Sequence, residues 1–266
     1  MLLSIVSFVL LNIALLHYFS KLKQNKAPKN PIFLKSAMAI SSLSSVGAIS
    51  TLFLTPTSVI STVFIIVIAL YVLSTSAVFT FFLAQKDTPI GDIKIAVGDD
   101  LLAFKTETFD SSSLAGKRTL LKFYRGAWCP YCSAELVMFE ALKPQLDQYN
   151  IQIVGISNDT IEQQKVHKVR DNISHTLVSD PELNVIRQYG VEHHKALGAT
   201  SDELINIFGM SMPLPWKMKY KPMSIPTSIL IDENCKILWI DQSEDYRLRA
   251  SEDAVMGAVT ANFAKD

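Results

Sequence analysis

Two cysteines separated by two residues are the side chains best suited to chemistry in this sequence. They form the segment Cys129-Pro130-Tyr131-Cys132, and C-x-x-C spacing is typical of a redox dithiol or of half a metal site. In a redox dithiol one thiolate attacks a disulfide or a peroxide, and the second thiol resolves the intermediate. Three cysteines in 266 residues are too few for a disulfide scaffold, so the pair indicates redox or metal chemistry.

The dithiol follows a predicted strand and begins a predicted helix. Residues 119–124 are typical of a buried strand, and the apolar spacing from Leu136 to Leu146 predicts a helix that is kinked or ended near Pro144. Cys129 then takes the N-cap region and Pro130 the first helical position, where a missing N–H costs nothing.

This position predicts which sulfur attacks. Free N–H groups and the helix dipole favour a thiolate, and they lower a thiol pKa from about 8.5 into the range of roughly 3.5–7.5. Arg125 adds positive charge nearby. By this reasoning Cys129 attacks and Cys132 resolves.

A zinc site is the structural alternative for the cysteine pair. A closed zinc site needs four ligands, and the remaining candidates are scattered through separate segments: His167, His175, His193, His194 and Cys235. We therefore predict neither a metal nor another bound cofactor.

The rest of the C-terminal part alternates between strands and helices. Strands are predicted at 151–156, from 177, at 225–231 and at 236–240, and helices at 160–170, from Asp180-Pro181 and at 251–263. The last two strands are joined by the turn from Asp232 to Cys235. The order predicts an α/β domain at 98–266 with a central mixed sheet flanked by helices.

Residues 1–86 have a different composition and are predicted to form a membrane anchor. Residues 1–85 contain five lysines and no other charged residue. Three apolar stretches, at 2–19, 32–54 and 59–84, approach or exceed the roughly 20 residues that span a bilayer. Serines and Lys35 dilute the second stretch, so two spans remain the alternative to three.

The lysines between the first two stretches predict the orientation. By the positive-inside rule the loop 21–35 faces the cytoplasm. Three spans then place everything after residue 85, including a linker at 87–97, on the cytoplasmic side of an inner or plasma membrane. Residues 1–85 also lack acidic residues, arginine and cysteine, which favours an anchor over a transport pathway.

The soluble part shows no footprint for nucleic acid. All 25 acidic residues of the chain lie beyond residue 85 with 20 basic ones, which leaves a net charge of −5. A nucleic-acid-binding surface is expected to be basic, so we predict no such partner.

The residues around the dithiol resemble a known superfamily. Trp128-Cys-Pro-Tyr-Cys132 resembles the active-site loops of thioredoxins and glutaredoxins. Over residues 98–262 the sequence is similar to the peroxiredoxin-like branch of the alkyl hydroperoxide reductase/thiol-specific antioxidant (AhpC/TSA) family, and the motifs that carry the similarity are Lys122–Cys132, Leu177–Leu183, Tyr189–Val191 and Asp245–Arg249. The resemblance implies a thioredoxin-like fold, in which Ile225-Pro226-Thr227 looks like the cis-proline segment that faces the dithiol.

The family pattern P-x-x-x-T-x-x-C suggests a different attacking sulfur. On this pattern Arg125 takes the proline position, Cys129 the threonine position and Cys132 the position of the peroxidatic cysteine. Arg247 or Arg249 is then either the family's thiolate-stabilising arginine or a solvated surface charge. The position at the helix N-terminus favours Cys129 as the attacking sulfur, whereas the family pattern favours Cys132, so the sequence leaves the order of attack open.

Three functions follow from these observations. The first is a membrane-anchored thiol-disulfide oxidoreductase, with an antioxidant or redox-homeostasis role, that acts on protein thiols or disulfides. The second is a thiol peroxidase that reduces hydroperoxides with Cys132. The third is a metal-binding or scaffold protein without turnover. For the two enzymes the resemblance implies thioredoxin or glutathione as the reductant.

Overall fold

The computed structural model describes residues 1–90, 92–200 and 204–263. They form two compact units. The first consists of Met1–Leu22 and Ala27–Lys86, and the second contains Lys23–Lys26 and the chain from Asp87 onward.

The first unit is built from three long helices. They are α1 (Leu2–Lys23), α2 (Ile32–Leu54) and α3 (Val59–Ala84). All three are long and apolar enough to cross a membrane. The helix α1 continues four residues beyond the predicted end of the first span, into the lysine-containing segment.

Two of the serines that dilute the second apolar stretch lie inside the first unit. Ser41 and Ser45 of α2 are buried, and the Ser45 hydroxyl donates to the Ser7 hydroxyl of α1 at 3.2 Å. The Tyr71 hydroxyl of α3 likewise donates to Asn12 Oδ1 of α1 at 2.9 Å. Small and hydroxylated residues let membrane helices approach closely, which explains why α2 is less apolar than its neighbours.

The second unit alternates strands and helices before it ends in a hairpin and a helix. Its elements are β1 (Arg118–Phe123), α4 (Pro130–Asp147), β2 (Ile151–Ser157), α5 (Ile161–Asp171), β3 (Thr176–Ser179), α6 (Asn184–Gln188), β4 (Glu192–Gly198), β5 (Leu204–Ile207), β6 (Met210–Pro213), β7 (Lys219–Ser224), β8 (Thr227–Ile231), β9 (Ile237–Gln242) and α7 (Glu252–Phe263).

Five of these strands form the central mixed sheet, in the order β3-β2-β1-β8-β9. The strands β1, β2 and β3 are parallel, whereas β8 runs antiparallel to β1 and β9 antiparallel to β8. Helices flank this sheet, which confirms the predicted α/β, thioredoxin-like fold. In register, Phe123 at the end of β1 lies between Ile156 and Thr227.

Alternation along β1 divides its side chains between two cores. Leu120 belongs with Tyr124 to the core that also contains α4 and the two cysteines. Leu121 and Phe123 belong to the core on the other face of the sheet. Because successive side chains of a strand point to opposite faces, Lys122 is placed on the α4 side.

The structure decides one helix boundary that the sequence left open and corrects another. The helix α4 continues through Pro144 to Asp147. The helix α6 begins at Asn184, with Leu183 at its N-cap, so the prediction that this helix begins at Asp180-Pro181 with Asp180 as its N-cap is wrong. The Asp180 carbonyl first closes a turn with the N–H of Leu183 at 2.9 Å, and its carboxylate accepts the N–H of Ile186 at 2.9 Å.

The Ile225–Pro226 peptide bond is trans, as are all peptide bonds in the part of the chain that the structure describes. The cis-proline that the resemblance implied is therefore wrong. The trans bond leaves both polar groups of Ile225 paired in the connection from β7 to β8. Its N–H donates to the Val191 carbonyl at 2.7 Å, and its carbonyl accepts the hydroxyls of Ser224 and Thr227 at 3.1 Å each. Trans is the favoured state of an X–Pro bond in the absence of a constraint.

The segment predicted as a linker, residues 87–97, belongs to the second unit and forms backbone hydrogen bonds with the rest of it. The N–H of Thr88 donates to the Glu244 carbonyl at 2.7 Å, and the N–H of Lys94 donates to the Tyr189 carbonyl at 3.0 Å. Residues 192–224 likewise contain strands, with β4 paired to β7 and β5 to β6.

Candidate active site

The loop between β1 and α4 carries the dithiol to the N-terminus of α4. Cys129 is the N-cap residue and Pro130 follows at the first helical position, as predicted. The Cys129 carbonyl accepts the N–H groups of Cys132 at 3.0 Å and Ser133 at 3.1 Å. One helical turn thus brings the second cysteine back toward the first.

Both cysteines lie inside the protein in their reduced form. Cys129 is 1% and Cys132 0% exposed, and Trp128 beside them is 3% exposed. They belong to the core between β1 and α4. A charge on either sulfur is therefore shielded from water, and nearby protein charges act on it strongly.

A buried carboxylate fixes the loop ahead of the dithiol. Asp159 accepts the N–H of Ala127 and the hydroxyl of Ser157, both at 2.8 Å. Burial raises the pKa of Asp159 more than these hydrogen bonds lower it. Gly126 has φ +138°, and a Cβ there would lie 2.8 Å from Trp128 Nε1 and 2.9 Å from Asp159 Oδ1, so only glycine fits.

Arg249 is the arginine that reaches the dithiol. Its Nη2 lies 3.3 Å from Cys132 Sγ, and its side chain is 1% exposed. Arg247 instead forms an ion pair with Asp245 at 2.6 Å, also away from solvent. Neither arginine is a solvated surface charge, and the sequence had left open which of the two lies beside the cysteines.

Arg125, at the family's proline position, ties the dithiol loop to the ribbon formed by β4 and β7. Its Nη2 donates to the Leu197 carbonyl of β4 at 2.6 Å, and its Nε lies 3.1 Å from Met223 Sδ of β7. The guanidinium also lies 4.0 Å from the ring centroid of Tyr246, which contacts Tyr131 edge-on. Arg125 and Tyr131 thus hold the loop against the elements that cover it.

Pro226 and Thr227 support the site from the neighbouring strand. Thr227 is fully buried and pairs with Phe123, the last residue of β1. Its hydroxyl accepts from Gln242 Nε2 at 2.9 Å. The segment therefore fixes the strand end from which the dithiol loop departs.

The two thiols have opposite pKa shifts. Burial raises the pKa of Cys129, but the hydrogen bond from the Cys132 thiol and the charges of Arg125 and Arg249 outweigh burial and lower this pKa to about 6. Burial, together with the hydrogen bond to Cys129 and its negative charge, raises the pKa of Cys132 well above its ordinary value, although Arg249 opposes this. The pair thus loses its first proton easily and its second with difficulty, as interacting groups do.

Two further buried charges were missed by the sequence reasoning. Glu135 lies one turn after Cys132 on α4, is 0% exposed, and pairs with Lys122 of β1 at 2.7 Å and with Arg249 at 3.2 Å. The sequence did contain a signal for this pair: each residue is a charged side chain at a position of its element that faces the core. In β1, for example, Lys122 interrupts the apolar part of the strand.

A serine, a histidine and an aspartate also meet beside the dithiol helix, but not as a hydrolytic triad. His167 Nε2 lies 3.1 Å from the Ser133 hydroxyl and 3.1 Å from Asp171 Oδ2. A triad needs the serine and the carboxylate on opposite ring nitrogens. Within the described ranges, no three His, Cys, Asp or Glu side chains are arranged to hold a metal ion.

More than half of the chain matches the model of one protein family. The AhpC/TSA family model matches residues 94–240, which include the dithiol, Glu135 and β8. The chain belongs to the AhpC/TSA family. Arg249 lies just beyond the matched residues.

Individual proteins similar to this chain are peroxiredoxins. A Haemophilus influenzae protein of the peroxiredoxin bcp type is 32% identical over 139 residues, which are 48% of this chain and 90% of that protein. A Coxiella burnetii protein of the same type is 33% identical over 85 residues, 32% of this chain, and the chain spans about half of it, 56%. The crystal structure of the peroxidoxin BcpB from Mycobacterium tuberculosis is 23% identical with a TM-score of 0.45, and the match covers 65% of this chain and 99% of that one.

The lowered pKa of Cys129 predicts a pH profile. Only the thiolate reacts with iodoacetamide, so alkylation of Cys129 in the reduced full chain in detergent, followed on its peptide, should be slow below pH 6 and reach a plateau above it, with a midpoint near pH 6. Arg249→Gln should move the midpoint upward, because a buried thiolate loses a neighbouring cation. Arg247→Gln is the matched control, since Arg247 pairs with Asp245 instead. A wild-type midpoint at the ordinary thiol value of about 8.5 would contradict this electrostatic description.

Proposed function

We propose that this chain is a membrane-anchored thiol peroxidase that reduces hydroperoxides with the Cys129–Cys132 dithiol, in an antioxidant or redox-homeostasis role. One observation carries the proposal. The Arg249 guanidinium lies 3.3 Å from Cys132 Sγ, and Cys132 occupies the position at which the family pattern has its peroxidatic cysteine. Family membership supports the thiol-dependent chemistry.

The reaction needs two electrons from the dithiol and no bound cofactor. The Cys132 thiol passes its proton to the Cys129 thiolate, and the resulting Cys132 thiolate attacks the terminal oxygen of the hydroperoxide. The O–O bond breaks, and the alkoxide or hydroxide takes up a proton from solvent to leave as alcohol or water. Cys132 is then a sulfenic acid. Cys129 attacks its sulfur, the S–O bond breaks, and water leaves as the Cys129–Cys132 disulfide forms.

The environment of the sulfurs supports each step. Arg249 stabilises the Cys132 thiolate and the charge that develops on the departing oxygen. Cys129 loses its proton near pH 6, so it is a ready nucleophile for the resolving step. A thiol system outside the chain, such as thioredoxin or glutathione, then reduces the disulfide by exchange.

A second candidate, disulfide exchange, begins at the other sulfur. The lowered pKa of Cys129 and its N-cap position favour attack by Cys129 on the disulfide of a substrate protein, with Cys132 resolving. Both reactions end with the same internal disulfide. They differ in the oxidant and in the sulfur that attacks first.

Single-cysteine variants test the proposed peroxidase. In stopped-flow measurements Cys132→Ser should slow peroxide consumption by at least about a hundredfold, because the nucleophile is gone. Cys129→Ser should still consume about one equivalent of peroxide per chain, since Cys132 can form its sulfenic acid without a resolving partner. Cys235→Ser, which removes the cysteine outside the dithiol, is the matched control.

The reverse pattern would contradict the peroxidase. Loss of peroxide consumption in Cys129→Ser with retention in Cys132→Ser would make Cys129 the attacking sulfur. Unchanged consumption in both variants would mean that the dithiol does not reduce peroxide. Disulfide exchange would then be tested with a disulfide substrate, and its absence as well would leave the metal-binding or scaffold function.

We also infer that α1, α2 and α3 anchor the enzyme with its redox domain in the cytoplasm. The support is the length and apolar composition of the helices and the lysines of the loop 21–35, which by the positive-inside rule stays on the cytoplasmic side. In this arrangement lipid surrounds the helices, and the dithiol meets cytoplasmic reductants.

A topology reporter tests this orientation. A reporter that is active only outside the cytoplasm, fused to the C-terminus, should be inactive, and one that is active only in the cytoplasm should be active. The opposite pair of results would place the redox domain on the far side.

A further inference from the structure

A chain of buried charges leads from the central sheet to the dithiol. Lys122 Nζ lies 2.7 Å from Glu135 Oε1, and Glu135 Oε2 lies 3.2 Å from Arg249 Nε. Arg249 Nη2 lies 3.3 Å from Cys132 Sγ. The side chains of Lys122, Glu135 and Arg249 are no more than 1% exposed.

The fold brings these residues together from four elements. Lys122 points from β1 toward α4, and its ammonium also donates to the Ser228 hydroxyl of β8 at 3.0 Å. Glu135 and Cys132 are three residues apart on α4 and so share one face of the helix. Arg249 lies in the connection between β9 and α7.

Stability alone gives no reason for a lysine at position 122. Its neighbours Leu120, Leu121 and Phe123 are fully buried. Taking two charges out of water costs about as much as their attraction returns, and apolar residues in place of a buried ion pair are often equally stable. A role in the chemistry of the site accounts for the charge.

The charges do not balance until a thiol ionises. Lys122 and Arg249 are two cations and Glu135 is one anion, so this chain of residues carries one excess positive charge in the protein interior. A thiolate in the dithiol supplies the missing negative charge. Without Lys122, Glu135 and Arg249 would neutralise each other, and of the two arginines near the sulfurs only Arg125 would still favour a thiolate.

We propose that Lys122 is a positioning residue of the dithiol: by neutralising Glu135, it leaves the positive charge of Arg249 available to a thiolate. Lys122 acts through Glu135 and Arg249, at the far end of the chain of contacts. The inference rests on the proposed thiol chemistry, but it concerns ionisation of the dithiol and does not depend on which oxidant the thiolate attacks.

Other titratable groups around the sulfurs stay constant in the test. They come from β1 and the loop that follows it, from the segment after β2, and from α4, α5 and the segment before α7: Tyr124, Arg125, Asp159, Tyr131, His167 and Tyr246. Arg125 is a second cation that acts on both sulfurs. Since none of these residues is changed, differences among the variants report the chain from Lys122 to Arg249.

Three variants of the full chain in detergent test the proposal through the pH dependence of iodoacetamide alkylation at Cys129. Lys122→Met leaves no excess charge, so its midpoint should rise, and alkylation below the midpoint should be roughly tenfold slower than in the wild type. Glu135→Gln leaves two excess positive charges, so its midpoint should fall below that of the wild type. The double variant, Lys122→Met with Glu135→Gln, again leaves one excess charge and should return close to the wild-type midpoint.

The return in the double variant separates electrostatics from structural damage, because a second substitution in a disrupted core does not restore an ionisation. Lys143→Met is the matched control, as Lys143 pairs with Asp147 on the exposed side of the same helix, and its midpoint should not move. An unchanged midpoint in Lys122→Met, or a double variant as slow as Lys122→Met, would overturn the proposal. If Lys122→Met does not fold, a Glu135→Gln midpoint no lower than that of the double variant overturns it as well.

Alkylation requires no peroxide. A failure of the peroxidase proposal would appear as peroxide consumption that is independent of Cys132, with the order of these midpoints intact. A failure of the Lys122 proposal would appear as the wrong order of midpoints, with peroxide consumption still dependent on Cys132.

Discussion

The contact between the Arg249 guanidinium and the Cys132 sulfur, 3.3 Å apart in an interior closed to water, determines what this dithiol can do. In so buried a place a thiolate forms only where protein charges replace its hydration. Arg249 supplies such a charge, Glu135 orients the arginine, and Lys122 neutralises Glu135. The sheet, the dithiol helix and the connection before α7 must all be in place for this contact to exist.

Cys129 and Cys132 ionise as a pair, so the features that favour attack by one sulfur also affect the other. The helix N-terminus and Arg125 act at Cys129, while Arg249 touches Cys132. The first proton lost from the pair leaves a negative charge that both arginines stabilise. In the proposed peroxidase Cys132 passes its proton to Cys129 before it attacks peroxide, and Cys129 loses this proton again when it resolves the sulfenic acid. A low pKa at Cys129 therefore suits a resolving thiol as well as an attacking one.

Local patterns predicted the parts of the site that depend on neighbours in sequence. The C-x-x-C spacing, Pro130 after an N-cap and an apolar strand were enough to place the dithiol at the start of α4. The choice between Arg247 and Arg249, and the pairing of Lys122 with Glu135, depend on how distant segments pack, and no local pattern encodes that packing. The prediction of a cis bond before Pro226 was wrong because it was taken from a resemblance, and the contacts of Ile225 that accompany the trans bond cannot be seen in the sequence.

Trapping the first oxidised sulfur shows directly whether Cys132 attacks the peroxide. Reduced Cys129→Ser protein is treated with one equivalent of hydrogen peroxide in the presence of a sulfenic-acid trap, and the adduct is located by mass spectrometry of peptides. We expect a stoichiometric adduct on Cys132, and in the wild type a Cys129–Cys132 disulfide instead of an adduct. Absence of an adduct on Cys132, with an adduct on Cys129 in the Cys132→Ser protein, would contradict this expectation.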